Sequence, residues 1–163
     1  RKFTGTDRRF EKKGEIGGVT VIDDYAHHPQ EISATLKAAE NYPHKRLWVV
    51  FQPHTYTRTK AFLDEFAQAL SGADEVILAD IFAARETDTL GVSSRDIAER
   101  LEKLGTSVHY IPSFDEIETF IFGKLYERRF VDNYGSRRHC KSRRKAVRTI
   151  VIHIIHIVFN IFM

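Results

Sequence analysis

Between residues 10 and 122 the chain alternates short runs of β-branched and aromatic residues with amphipathic stretches. That alternation restricts the fold to α/β layering around a mostly parallel sheet. Runs at 10–15 and 18–23 flank Gly17-Gly18 and predict an N-terminal β-hairpin. Three further strands are expected in Arg46-Leu47-Trp48-Val49-Val50-Phe51, Glu75-Val76-Ile77-Leu78-Ala79 and Ser107-Val108-His109-Tyr110-Ile111. Helices are predicted over 29–41, over about 59–71, from near Ser93 and from Ser113. Pro29 suits the first position of a helix, and Ser93 before Asp96 and Ser113 before Glu116 are N-terminal capping signals. The expected class is therefore α/β: a Rossmann-like, mostly parallel sheet with flanking helices and an N-terminal β-hairpin, followed by an irregular or aberrant C-terminal tail.

In such folds chemistry gathers at the carboxyl ends of the strands. Three loops there are rich in functional groups: Asp23-Asp24-Tyr25-Ala26-His27-His28, Gln52-Pro53-His54-Thr55-Tyr56-Thr57-Arg58, and the stretch from Asp80 to Glu86. Turn and cap residues would account for any one of them. Three in succession point to one crevice at the sheet edge. Arg58, close to a helix start where the macrodipole disfavours a cation, calls for an anionic partner such as a carboxylate or phosphate. Arg85 and Glu86 read equally well as a surface ion pair.

Several chemistries fit poorly. His27, His28 and His54 with Asp23 and Asp24 are metal-ligand types, but two adjacent histidines cannot readily face one ion, and no metal site is expected. No serine sits in a nucleophile elbow, and Cys140 is the single cysteine. Neither glycine-rich phosphate loop is present, so any ATP would be handled as one wall of a site completed elsewhere. A polar N-terminus without Met predicts a piece of a longer, cytoplasmic protein, the lone cysteine fitting a reducing compartment.

Residues 1–122 carry 15 Lys/Arg against 20 Asp/Glu, whereas 123–163 carry 10 against 2. The overall charge of +3 thus joins an acidic body to a basic tail, and the acidic body argues against a nucleic-acid partner.

Three motifs, Arg8-Arg9-Phe10-Glu11, Asp23-Asp24-Tyr25-Ala26-His27-His28-Pro29 and Phe51-Gln52-Pro53-His54-Thr55-Tyr56-Thr57-Arg58-Thr59, together resemble the C-terminal domain of the Mur ligases. Within that family they are most similar to the members that join L-alanine to UDP-N-acetylmuramate in peptidoglycan synthesis. The resemblance runs from about residue 1 to 121. It implies an inter-domain linker remnant at 1–9, a C-terminal domain at 10–122, and ATP and Mg2+ bound mainly by an absent central domain. It also implies an ATP-driven ligation through an acyl phosphate, completed when the domains close, so the fragment alone is expected to be inactive. Residue by residue, Arg9, Asp24, Tyr25 and His27 resemble the nucleotide-binding positions. His54, Tyr56 and Arg58 resemble the substrate-binding positions, with His54 and Arg58 receiving the amino-acid carboxylate. Thr55 departs from members that carry a second arginine there. The other reading of the same residues is a stand-alone Rossmann-like ligand-binding or interaction module without catalysis.

From about Phe122 the alternation stops. Residues 124–148 form a basic stretch without clear period, and 150–163 are almost wholly apolar yet too short and interrupted for a membrane span. An aggregation-prone β segment and a nucleic-acid arm are alternatives. The favoured explanation of 123–163 is a frameshift: a choice among the permitted codons for Arg129 to His139, read one nucleotide over, can spell Asp-Leu-Leu-Ile-Thr-Met-Gly-Ala-Gly-Asp. The resembling family continues at this point with a strand and a Gly-Ala-Gly-Asp turn. Loss of that strand is expected to leave a sheet edge exposed.

Overall fold

A computed structural model describes residues 9–16, 19–134 and 150–155, with side chains described over 9–15 and 19–124. Six strands form one sheet: β1 (Glu11–Ile16), β2 (Val19–Asp24), β3 (Arg46–Phe51), β4 (Glu75–Leu78), β5 (Ser107–Tyr110) and β6 (Ile150–Ile155). Their spatial order is β1-β2-β6-β3-β4-β5. Only β1 runs antiparallel, forming the expected hairpin with β2. The other neighbours pair in parallel.

Strand alternation builds two cores. Leu47, Val49 and Phe51 of β3 face one side of the sheet, while Trp48 and Val50 face the other. The first side packs on α1 (Pro29–Glu40), α3 (Leu63–Leu70) and α4 (Ser94–Lys103) through Ile32, Leu36, Phe66, Leu70, Ile97 and Leu101. The second packs on Ile117 of α5 (Phe114–Tyr134). Helices on both faces explain why β3 and β4 are almost continuously apolar. Each fully buried side chain of this kind contributes about 1.5–3 kcal/mol.

The structure departs from the sequence-based expectations in three places. The helix expected over 59–71 is two, α2 (Tyr56–Ala61) and α3, because Phe62 leaves helical geometry at φ −125° and ψ 28°. Its Phe62, Phe66 and Leu70 share one face whether or not the backbone is continuous, so periodicity alone could not show the break. α5 runs on to Tyr134, beyond Phe122, where the sequence alternation stops. No edge opens beside β2, since Ile150–Ile155 pairs with β2 on one side and with β3 on the other. A run of Ile and Val suits a strand flanked on both sides. Residues 135–149 and 156–163 of the tail lie outside the described residues.

Candidate functional site at the carboxyl edge of the sheet

Register fixes where the loops leave the sheet. Asp24 pairs with Ile155, Ile155 with Phe51, Phe51 with Leu78, and Leu78 with Tyr110, so five parallel strands end at one level. The three polar loops leave from this level, after β2, β3 and β4.

The first loop is held by its own carboxylates. Asp24 is 4% exposed. Its Oδ1 accepts the Ala26 N–H at 2.7 Å and its Oδ2 the Phe10 N–H at 2.8 Å, which ties the β2 turn to the entry of the hairpin. Asp23 is buried beside Lys13, 3.7 Å away. His28 caps α1, its Nδ1 accepting from Gln30 N–H while Glu31 accepts from the backbone N–H groups of His27 and His28. This reciprocal box was not read from the sequence, which lacked the usual Ser or Thr at the cap. Arg9 approaches the same Glu31 at 3.5 Å. Burial pushes the Glu31 carboxyl up, but the His27 and His28 N–H groups and the charges of His27 and Arg9 outweigh it and hold the carboxyl low. Tyr25 is exposed, and its ring meets His27 edge-on at 5.3 Å.

The second and third loops are laced together. His54 and Phe82 form a parallel bridge, with Phe82 N–H donating to Pro53 O at 2.9 Å and Thr55 N–H donating to Phe82 O at 2.8 Å. Gln52 reaches Asp80 O, and Thr57 N–H donates to Glu86 Oε2 at 3.0 Å. Glu86 therefore does not read as the surface partner of Arg85: it faces α2, and Arg85 is exposed. Thr55 takes φ 66° and ψ 143°, a backbone region that is costly for a β-branched residue. It nonetheless caps α2 through its Oγ1. Tyr56 opens that helix, half-buried.

His54 joins the loops electrostatically. Burial lowers its pKa first, the charges of Arg58 and His27 lower it further, and Glu86 opposes them. The imidazole is thus biased towards its neutral form. Among the described residues no carboxylate pairs with the Arg58 guanidinium. The Arg58 guanidinium lies within electrostatic reach of His54 at this edge, and groups of these two kinds have the chemistry to receive a small carboxylate or phosphate. Among the described residues no group of three or more His, Cys, Asp or Glu is placed to hold a metal ion.

Residues 8–125 match the profile of the Mur ligase, glutamate ligase domain. The chain belongs to the Mur ligase family. Over 119 residues it is 64% identical to the UDP-N-acetylmuramate–L-alanine ligase of Lachnospira eligens, a match covering 73% of this chain and 26% of that protein. The corresponding ligase of Agathobacter rectalis is 63% identical over 120 residues, covering 74% of this chain and 26% of the relative. This Mur ligase chain therefore spans about a quarter of the length of these relatives. Among solved structures, the UDP-N-acetylmuramate-alanine ligase of Thermotoga maritima superposes with a TM-score of 0.62 at 24% identity, covering 94% of this chain and 27% of that one. A murein peptide ligase from Psychrobacter arcticus gives 0.62 at 23% identity, covering 94% and 28%. Both likenesses establish the shared fold.

Proposed function

We propose that this chain is the C-terminal domain of an ATP-dependent ligase that joins L-alanine to UDP-N-acetylmuramate in peptidoglycan synthesis, working in the cytoplasm. The observation that carries the reading is Arg58, without a carboxylate partner among the described residues and within electrostatic reach of a His54 biased to the neutral form. That pair suits the carboxylate of an amino acid. The high identity to the Lachnospira and Agathobacter ligases supports L-alanine as that amino acid.

In this reading residues 1–9 are the end of a linker and 10–122 are the domain proper. ATP, with Mg2+ held mainly by a preceding central domain, phosphorylates the sugar-linked carboxylate to an acyl phosphate. The amine of L-alanine attacks this, and phosphate leaves. The chain's own residues bind and orient. Arg58 and His54 hold the amino-acid carboxylate, with Tyr56 beside them, so that the amine is presented to the acyl carbon. Arg9, Tyr25 and His27 meet the nucleotide side of the closed cleft. Asp24, with both oxygens engaged by backbone N–H groups, serves that side by fixing the turn that carries Tyr25 and His27. Closure excludes water and turns positioning into rate, so the isolated domain is inactive.

The test fuses this chain, from residue 8, behind the preceding domains of the Lachnospira eligens relative. A second fusion uses residues 8–122 followed by the relative's own C-terminal segment. Phosphate release that requires both L-alanine and UDP-N-acetylmuramate is expected. Well-folded fusions that bind ATP but show no alanine-dependent turnover would favour the stand-alone binding module.

A further inference from the structure

We propose that Glu86 is a positioning residue for the amino-acid carboxylate: carried on the loop after β4, it fastens the first turn of α2 and so sets Arg58 beside His54. The inference rests on the ligase reading above and deepens it, since Glu86 has no place among the contacts assigned there.

The loop from Asp80 to Gly91 runs alongside residues 52–60 and is tied to them repeatedly. Gln52 Nε2 donates to Asp80 O at 3.0 Å, Phe82 exchanges backbone hydrogen bonds with Pro53 and Thr55, and Lys60 Nζ donates to Leu90 O at 2.9 Å. Glu86 adds a carboxylate to this series. Its Oε2 accepts the Thr57 N–H at 3.0 Å, across 29 residues of chain. Hydrogen bonds from Thr57, Tyr56 and Thr55 outweigh desolvation and hold its carboxyl below the ordinary range. A six-residue helix has little cohesion of its own. Its first turn is also entered through the strained Thr55 backbone, a conformation that persists only where surrounding ties over-determine it. A carboxylate at this turn meets its free N–H groups and the positive end of its dipole. Arg58 lies one residue beyond Thr57, so releasing the turn moves the guanidinium. Glu86 also lies within electrostatic reach of His54, opposing the cations that lower the imidazole pKa. It thus acts on Arg58 through the turn that carries it and on His54 through its charge.

Two measurements test this. In the 163-residue chain, the NMR shift of the Thr57 amide should titrate with a carboxylate whose pKa lies below 4.5, and Glu86→Ala should abolish that titration. A Thr57 amide indifferent to Glu86 would overturn the proposal whatever the enzyme does. In the active fusion, Glu86→Ala should raise KM for L-alanine about tenfold while kcat and the KM values for ATP and UDP-N-acetylmuramate stay within twofold, a factor of ten corresponding to about 1.4 kcal/mol. Glu86→Gln, which keeps an acceptor oxygen, should recover most of the loss. An unchanged KM for L-alanine, or three KM values rising together, would overturn the positioning role. A parent fusion without alanine-dependent turnover would overturn the ligase reading instead, leaving the amide titration to decide whether Glu86 fastens the turn.

Discussion

The Asp24 carboxylate accepts the backbone N–H of Phe10 at 2.8 Å, joining the turn after β2 to the start of the hairpin 14 residues earlier. Phe10 there adopts φ 49°, a left-handed backbone that an aromatic residue holds only when tied down. With the second bond to Ala26, Asp24 serves two backbone donors in a buried setting. Hydrogen bonds to a charged group are worth roughly 1.5–3 kcal/mol each and are not additive within one site. Asp24→Ala is expected to lower unfolding free energy by about 3 kcal/mol in urea titration. Asp24→Asn, keeping one acceptor, should fall between it and the parent.

Acid sensitivity should come in two windows. The folded His54 pKa is depressed below 6.5, chiefly by burial and then by Arg58 and His27. As pH falls through 6.5 the unfolded chain takes up the proton first, so His54 stabilises the fold fully above that value and the contribution is lost as pH drops towards the depressed pKa. Glu31 and Glu86, also depressed, contribute above 4.5 and lose it below. Thermal melting from about pH 7 to about 5 should therefore decline in the parent and flatten in His54→Gln. The steeper fall below 4.5 should remain.

Ile152 pairs with Val21 on one side and Trp48 on the other. A proline there removes a ladder donor from the middle of the sheet, at a cost of about 3 kcal/mol or more. Ile152→Pro should abolish cooperative unfolding of the chain by circular dichroism. An unaltered melt would show that the tail strand is dispensable.

Ser93 and Asp96 form the capping box that the sequence announced, with Ser93 N–H donating to Asp96 Oδ2 at 2.7 Å. Ser93→Ala is expected to cost about 1 kcal/mol by the same titration.

Strands β1 to β5, the hairpin and the starts of α1 and α4 were legible because Pro29, Ser93 and the β-branched runs state them locally. Three polar loops at one edge were legible for the same reason. What escaped reading is what distant backbone supplies. Nothing around Phe62 marks a helix break, since neither Gly nor Pro is there. His28 reads as a functional group and acts as a cap. Glu86 reads equally well as half of a surface pair with Arg85 or as part of the polar edge, and its hydrogen-bond donor is the Thr57 N–H, 29 residues away. Residues 150–163 read as an apolar tail, with a β segment only among the alternatives, and the place of Ile150–Ile155 between β2 and β3 depends on a slot that no local pattern describes.

In the proposed ligase Arg58 receives the carboxylate of L-alanine, and the most direct measurement is the KM for L-alanine of the fusion ligase carrying Arg58→Ala. Loss of a charge-assisted contact predicts a rise of roughly 10- to 100-fold with the KM for ATP unchanged. A KM for L-alanine equal to that of the parent would contradict it.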